Sequence, residues 1–360
     1  IDAFRAAGAD VREQSLGIAL PARVALDRAG RVVAEREFAQ SMTSWGSLYE
    51  SLKSAFPTQR YRRGMTLERV EQDDKKVTAL FSDGERVEGD LLIGADGHRS
   101  GIRNQLLPEP KARYAGYIAW RCLADEKDLP GADFATLFQR YTVCVAPGEQ
   151  GIGYPVPGTG HTKVPGERQY NVVWYHPANE HDELRRLMTD DNGRYYPNGI
   201  PPALLSNRVR EDMIATAQEV LAPQFALALK KGRLHFFQPI MDLDPPRLSF
   251  GRVAIVGDAA FITRPHVAMG VPKGAGDVLA LLQALDQYGD DYATALAQFE
   301  SKRLRVGRAI TARSRYLGAY MEVQLKSDAE RQRAEAQRIP EQVMMETAAP
   351  IDYEALAPAA

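Results

Sequence analysis

Two stretches of this sequence end an apolar run in a glycine and an aspartate. One reads "LLIGADGHRSGIR" and carries Asp96 and Gly97; the other reads "GRVAIVGDAA" and carries Gly257 and Asp258. Glycine lets a backbone come close to a ligand because it has no Cβ. An aspartate at the same place accepts hydrogen bonds from hydroxyl groups such as those of a sugar. In an open α/β sheet, ligands bind beyond the carboxyl ends of the strands, where both pairs would lie. Alone, either pair is equally well explained as a turn leading into a helix N-cap. Their repetition, joined to a third element, points to a bound small molecule.

The third element is "RPHVAMGVPKGAGDV", which runs from Asp258 toward the helical pattern "GDVLALLQAL". A helix start carries free N–H groups and partial positive charge, which suit an anion or an electron-rich carbonyl. Gly270 would allow backbone contact there, Val271 would donate an N–H, and Pro272, lacking one, would serve shape only. His266 is the candidate base on a ring hydroxyl, because imidazole titrates near neutral pH. A loop histidine with a purely structural hydrogen bond explains it equally well. Arg264 and Lys273 are candidates for attracting phosphates or an anionic substrate, and solvated cations are the equal alternative.

The elements that must position these residues show two textures. Residues 15–40 read as a hairpin turning at Asp27 and Gly30, and residues 44–56 as an amphipathic helix capped by Ser44 or Ser47. A second hairpin turns at Asp83-Gly84, and the apolar run Leu91 to Ile93 suits a strand covered on both faces. From Lys111 to Phe237 the strands become aromatic-rich ("YAGYIAWRCLA", "TLFQRYTVCVA", "GIGYPVPG", "RQYNVVWYH"), as in an inserted antiparallel sheet. Residues 182–230 are mostly helical, and a long Arg-rich helix is expected from Tyr292 to Leu325. The start, "IDAFRAAGADVREQ", puts Ile1, Phe4 and Val11 on one helical face, with Gly8 suited to a C-cap. The Ala/Pro-rich tail from Pro340 is expected to pack weakly if at all.

The expected fold class is therefore α/β with an α+β insert. A discontinuous Rossmann-like domain (1–110 and 245–325) would surround a substrate-binding sheet domain (111–244), with residues 326–360 as helix end and tail.

Composition narrows the partners. The 360 residues are 44% hydrophobic and 26% charged with a formal net charge of -2, which gives no global argument for nucleic acid or an anionic membrane. The Arg-rich "KRLRVGRAITARSRY" interleaves its cations with apolar positions, as a solvated helix face does. No apolar run has the length of a membrane span and no secretory segment is visible, so the cytoplasm is the default location. Cys122 and Cys144 read as buried reduced thiols. His176, Glu180 and His181 have the wrong spacing for a metal site, so none is expected. The long C-terminal helix offers a surface for a homodimer.

Taken together, "LLIGADGHRSGIR", "YAGYIAWR", "YPVPG", "GRVAIVGDAA" and "RPHVAMGVPKGAGD" resemble the flavin-dependent aromatic hydroxylases of the p-hydroxybenzoate hydroxylase type. The likeness is strongest to their 2,6-dihydroxypyridine 3-monooxygenase branch. The resemblance implies FAD as cofactor, NADPH or NADH as co-substrate, and O2 added to a small electron-rich aromatic or hydroxypyridine-like ring through a flavin hydroperoxide. It also implies roles for single residues. Asp258 and Gly257 would meet the ribityl chain, Asp96 and Gly97 the pyrophosphate, and Gly270, Val271 and Pro272 the flavin pyrimidine edge. Pro265 and His266 would flank the reacting ring. Tyr117, Trp120, Arg121 and Tyr154 would form the other wall, although each is more simply a residue of the sheet core or its edge. Trp45 stands near where relatives place an FAD-contacting arginine.

One departure is plain: no GxGxxG turn occurs in the chain, although the family opens with a βαβ unit of roughly 30 residues that carries it. Because the sequence also opens on Ile1 inside a helical pattern, an upstream piece is expected to be missing. Two other functions compete: an oxidase or reductase on the same scaffold, and a flavin-free ligand-binding relative.

Overall fold

Strand β7 (Arg113–Asp125) explains why the aromatic segment becomes a sheet centre. Its residues Tyr114 to Trp120 are all buried, so both faces of the strand are covered. It pairs antiparallel with β10 (Gln169–Pro177) on one side and β11 (Arg233–Asp242) on the other. The sheet continues through β9 (Glu149–Val156) and β8 (Arg140–Ala146) to β1 (Ile18–Leu26) and β2 (Val32–Met42), making seven strands in the order β11-β7-β10-β9-β8-β1-β2.

These strands depart from the expected insert in two ways. The hairpin β1–β2 turns near Asp27 and Gly30 as read, yet it joins this sheet, so the sheet draws on residues outside 111–244. The β1–β8 pairing is also parallel, which makes the sheet mixed rather than antiparallel. Strand β1, with Ala22 to Leu26 all buried, takes an interior place whose backbone groups are paired by β2 on one edge and β8 on the other.

The computed structural model describes residues 2–9, 16–323 and 326–356, apart from the side chains of Ala132 and Asp133. Ile1 and Val11, expected to share a face with Phe4, lie outside the described residues. Helices Asn207–Val220 and Pro223–Lys231 cover one face of the large sheet, burying Val209, Met213, Phe225 and Leu229 against Trp120 and Trp174. The opposite face carries Tyr117, Tyr141, Val173 and Tyr175 and is covered by Tyr320, Met321 and Met344.

The second unit holds a three-stranded sheet, β12 (Ser249–Phe250), β13 (Val253–Ile255) and β6 (Leu92–Gly94). Helices Gly270–Tyr288 and Tyr292–Gly318 pack against it through Ala280, Leu281, Ala284, Leu296 and Phe299. A third sheet, β3 (Leu67–Gln72), β4 (Val77–Phe81) and β5 (Arg86–Gly89), contains the expected Asp83-Gly84 turn. Strand β6 is less enclosed than its apolar sequence implied: Ile93 is 40% exposed. Among the described residues β6 pairs only with β13, so one of its edges has no strand beside it.

The tail corrects its expectation outright. Helix Pro340–Glu346 lies across β1, β2 and β8, with Met344 fully buried and Tyr353 nearly so. Burying a methionine side chain stabilises by about 1.5–3 kcal/mol, which an Ala/Pro-rich composition does not reveal. Both cysteines are buried and free, and burial pushes the Cys122 thiol up to about 12 and the Cys144 thiol to about 11. Among the described residues no helix is long and apolar enough to cross a membrane.

Candidate functional site

Strands β6 and β13 run parallel, with Gly94 opposite Ile255, so the turns that follow them leave the sheet side by side. Gly97 (φ 78°) and Gly257 (φ 62°) adopt the left-handed conformation that favours glycine, which explains the residue type at both turns. Arg103, buried on the short helix Gly101–Leu106, ties the two turns together. Its guanidinium donates to the His98 carbonyl at 2.8 Å on one side and to those of Ala259 at 2.9 Å and Asp258 at 3.3 Å on the other. Asp96 accepts from the Ile102 amide at 3.2 Å and so sits over the start of that helix, whose cap is Ser100.

Asp258 keeps its carboxylate exposed and is steered from beneath by Lys273, whose Nζ lies 3.3 Å from Oδ1 and donates to the Phe261 carbonyl at 2.8 Å. Burial draws the Lys273 pKa down, opposed by the charges of Asp258 and Asp277. Lys273 is therefore an internal brace rather than a free cation. Gly257 donates its N–H to Asp277 at 2.8 Å, and Asp277 in turn takes Arg303 Nε at 2.6 Å, both side chains being buried. This pair fixes the turn after β13 to both long helices.

The helix Gly270–Tyr288 starts about one and a half turns before the "GDVLALLQAL" pattern, taking in Gly270, Val271 and Pro272 as its first turn. Its N-cap, Met269, makes no side-chain cap and its first turn has no acidic residue, so its leading N–H groups have no side-chain partner. Gly270, Val271 and Pro272 are exposed. A Cβ at Gly270 would meet nothing within 4 Å, and one at Gly257 only the Gly274 Cα at 3.9 Å. Open backbone, an exposed steered carboxylate and uncapped helix N–H groups are the features that a flavin's ribityl chain and pyrimidine edge need, so the residues present fit that part of FAD.

The second cluster lies behind Pro265. His266 is wholly buried, not at an open strand mouth, and its Nε2 is 2.9 Å from the Tyr117 hydroxyl. The Tyr175 ring stands 4.1 Å from the imidazole, centroid to centroid. Burial, followed by the nearby Arg264 charge, drives the His266 pKa well below its ordinary value, so the ring is neutral; burial drives the Tyr117 hydroxyl well above its own. Arg264 is not available to phosphates. It is buried between Asp242 (2.6 Å) and Glu322 (2.5 Å), and although burial alone would lower its pKa, these carboxylates and Tyr117 raise it.

Of the expected substrate wall, Tyr117, Arg121 and Tyr154 share one sheet face with His266, since Arg121 pairs with Val173 and Tyr154 packs beside Tyr141. Trp120 does not. Strand alternation turns it to the opposite face, against Phe237 and Trp174, where it lines a cavity of about 40 Å³. Trp45 opens the helix Trp45–Ala55 behind the Ser44 cap and is 70% exposed, stacked on Tyr49 at 5.0 Å.

Sequence reasoning missed Arg103, Asp277, Arg303 and Gly318. A Cβ on Gly318 would fall 2.3 Å from the Tyr117 hydroxyl and 3.0 Å from His266 Nε2, so the long helix approaches this pair only because residue 318 is glycine. Arg103, Asp277 and Arg303 lie in the quoted "HRSGIR", "GDVLALLQAL" and "KRLRVGRAITARSRY", but their partners come from other elements and no local pattern points to them.

Profiles described as "FAD binding domain-like" and "FAD binding domain" match residues 114–242 and 245–314. The 2,6-dihydroxypyridine 3-monooxygenase of Paenarthrobacter nicotinovorans is 30% identical over 284 residues, covering 79% of this chain and 69% of that protein. The FAD-dependent urate hydroxylase of Klebsiella pneumoniae is 29% identical over 70% of this chain, which spans only 57% of that relative's length. The structure of 2,6-dihydroxypyridine-3-hydroxylase from Arthrobacter nicotinovorans superimposes with a TM-score of 0.80 at 26% identity, covering 87% of this chain and 78% of the other. On these similarities, and on the paired turns that precede them, the chain belongs to the FAD-dependent aromatic hydroxylases.

Proposed function

We propose that this chain hydroxylates a small, electron-rich N-heteroaromatic ring of the hydroxypyridine type, using NADPH or NADH and O2 with FAD. The observation that carries the reading is the pair of Gly-Asp turns leaving adjacent parallel strands, held together by Arg103. The dihydroxypyridine and urate enzymes among its relatives support a heteroaromatic substrate. FAD, when bound, supplies the reduction by nicotinamide and the activation of oxygen.

The chain's own residues bind and orient. Asp258, steered by Lys273, accepts from ribityl hydroxyls; Asp96 and Gly97 border the pyrophosphate; the Gly270 and Val271 amides face the pyrimidine edge, with Pro272 shaping it. Pro265, Arg121 and Tyr154 border the ring. His266 is neutral, and in the tautomer whose Nε2–H donates to the Tyr117 hydroxyl its Nδ1, which has no partner, carries the lone pair that takes the proton of the ring hydroxyl. Its complete burial favours a second reading, in which His266 orients Tyr117 and the proton leaves elsewhere. The unpaired buried cysteines suit a reducing compartment, the cytoplasm.

The test is NADPH and NADH oxidation by the FAD-loaded chain with and without 2,6-dihydroxypyridine, with the product analysed for added oxygen. Ring-stimulated oxidation with a hydroxylated product is expected. Oxidation that yields only peroxide for every hydroxypyridine would favour an oxidase. A His266→Gln variant separates the two readings: loss of the acidic limb of the kcat profile marks His266 as the base.

A further inference from the structure

The sheet face that carries Tyr117 is closed by the C-terminal segment, and one cation organises that closure. Arg23, on β1, is 1% exposed, and its hydrogen-bond partners among the described residues include no carboxylate. Its guanidinium donates instead to three main-chain carbonyls of the tail: Thr347 at 2.7 Å, Met344 at 3.0 Å and Ala348 at 3.1 Å. Gln40 takes a fourth hydrogen bond at 2.8 Å, and the Phe38 and Tyr141 rings lie against the cation at 4.0 and 4.8 Å. Turned this way by Arg23, the tail presents the Ala348 N–H to the His266 carbonyl at 2.8 Å. Ala348 has φ 52°, a left-handed conformation that an alanine adopts only where its surroundings impose it. Thr347 is fixed a second time, through its hydroxyl to Gln150 at 3.0 Å, and Gln150 is held by the Tyr320 hydroxyl at 3.1 Å.

We propose that Arg23 is a positioning residue for the reaction: by gathering the carbonyls of residues 344–348 it sets the Ala348 amide against His266 and so fixes the Pro265–Val267 turn. The proposal rests on the assignment of Pro265 and His266 to the substrate side. The gathering of three carbonyls requires a donor fork, so lysine, with one ammonium, supplies the charge without the geometry.

The experiment compares the parent chain with Arg23→Met and Arg23→Lys, by amide hydrogen exchange and by ¹⁵N–¹H spectra of the imidazoles, assigned with His266→Gln. In Arg23→Met the Ala348 amide should exchange about tenfold faster while β7 amides keep their protection. The His266 nitrogen shifts should move with it, and Arg23→Lys should fall between. These signals need no flavin, so they test the clamp apart from the hydroxylase reading. In the loaded enzyme kcat should drop about tenfold with KM nearly constant. A folded Arg23→Met whose Ala348 exchange and His266 shifts match the parent overturns the proposal, as does a freed Ala348 with unchanged kcat. If Arg23→Met does not fold, Arg23→Lys is read alone: its ammonium cannot span the three carbonyls, and a folded Arg23→Lys whose Ala348 exchange and His266 shifts match the parent overturns the proposal.

Discussion

The paired turns and the Tyr117–His266 cluster differ in how the chain builds them. The turns come from two contiguous stretches, each a strand, a left-handed glycine and an exposed aspartate. The cluster is assembled from β7, β10, the loop after β13, the end of the Tyr292–Gly318 helix and the tail, and its Tyr117, Tyr175 and His266 side chains are all buried. Groups that meet a ligand through the backbone need only local geometry. Groups held neutral in an apolar interior need long-range packing, because burial rather than any neighbour in sequence sets their protonation.

The largest test of this contrast is Asp277→Leu. It leaves buried Arg303 with only the half-exposed Glu354, at 3.4 Å, as counter-charge and removes the acceptor for the Gly257 N–H, so urea denaturation should show a loss of about 3 kcal/mol, the low end for a broken buried pair. A loss below 1 kcal/mol would mean that the turn after β13 stands without this brace. Next is Gly318→Ala. The added methyl must displace the Tyr117 hydroxyl or the helix, at a cost of about 1–3 kcal/mol, and the His266 nitrogen shifts should change with it. Unchanged shifts would show that the helix end simply moves aside.

The smallest effect is on pH. His266 has its folded pKa pushed far below the ordinary 6.5 by burial, so the unfolded chain binds the proton first. Its contribution is present above pH 6.5 and is lost as pH falls, by at most about 1.4 kcal/mol per pH unit. Melting at pH 7.5 and 5.5 should show a drop that His266→Gln reduces. An equal drop in both would place the acid sensitivity in other groups.

What was legible in the sequence follows the same division. The two Gly-Asp turns, the Ser44 cap and the Asp83-Gly84 hairpin are local patterns, and each is found where its residues place it. The helix read from "GDVLALLQAL" begins earlier, at Gly270, because apolar periodicity does not mark a first turn that contains glycine and proline. Trp120 was misplaced because aromatic content marks a strand but not which face a residue takes when both are buried. Arg264 and Lys273 looked like free cations because their partners, Asp242, Glu322 and Asp258, lie 15 to 58 positions away. The tail seemed dispensable on composition, whereas its packing depends on backbone carbonyls that no side-chain pattern reports.

The most direct test of the central claim, that the paired turns hold FAD, is a flavin titration followed in the visible absorption of the parent chain and of Asp258→Ala. The parent should bind added FAD with an oxidised-flavin band, and loss of the steered carboxylate should weaken binding about 10- to 100-fold. Equal affinity in the two chains, or no bound flavin in the parent even with FAD added, would contradict the account.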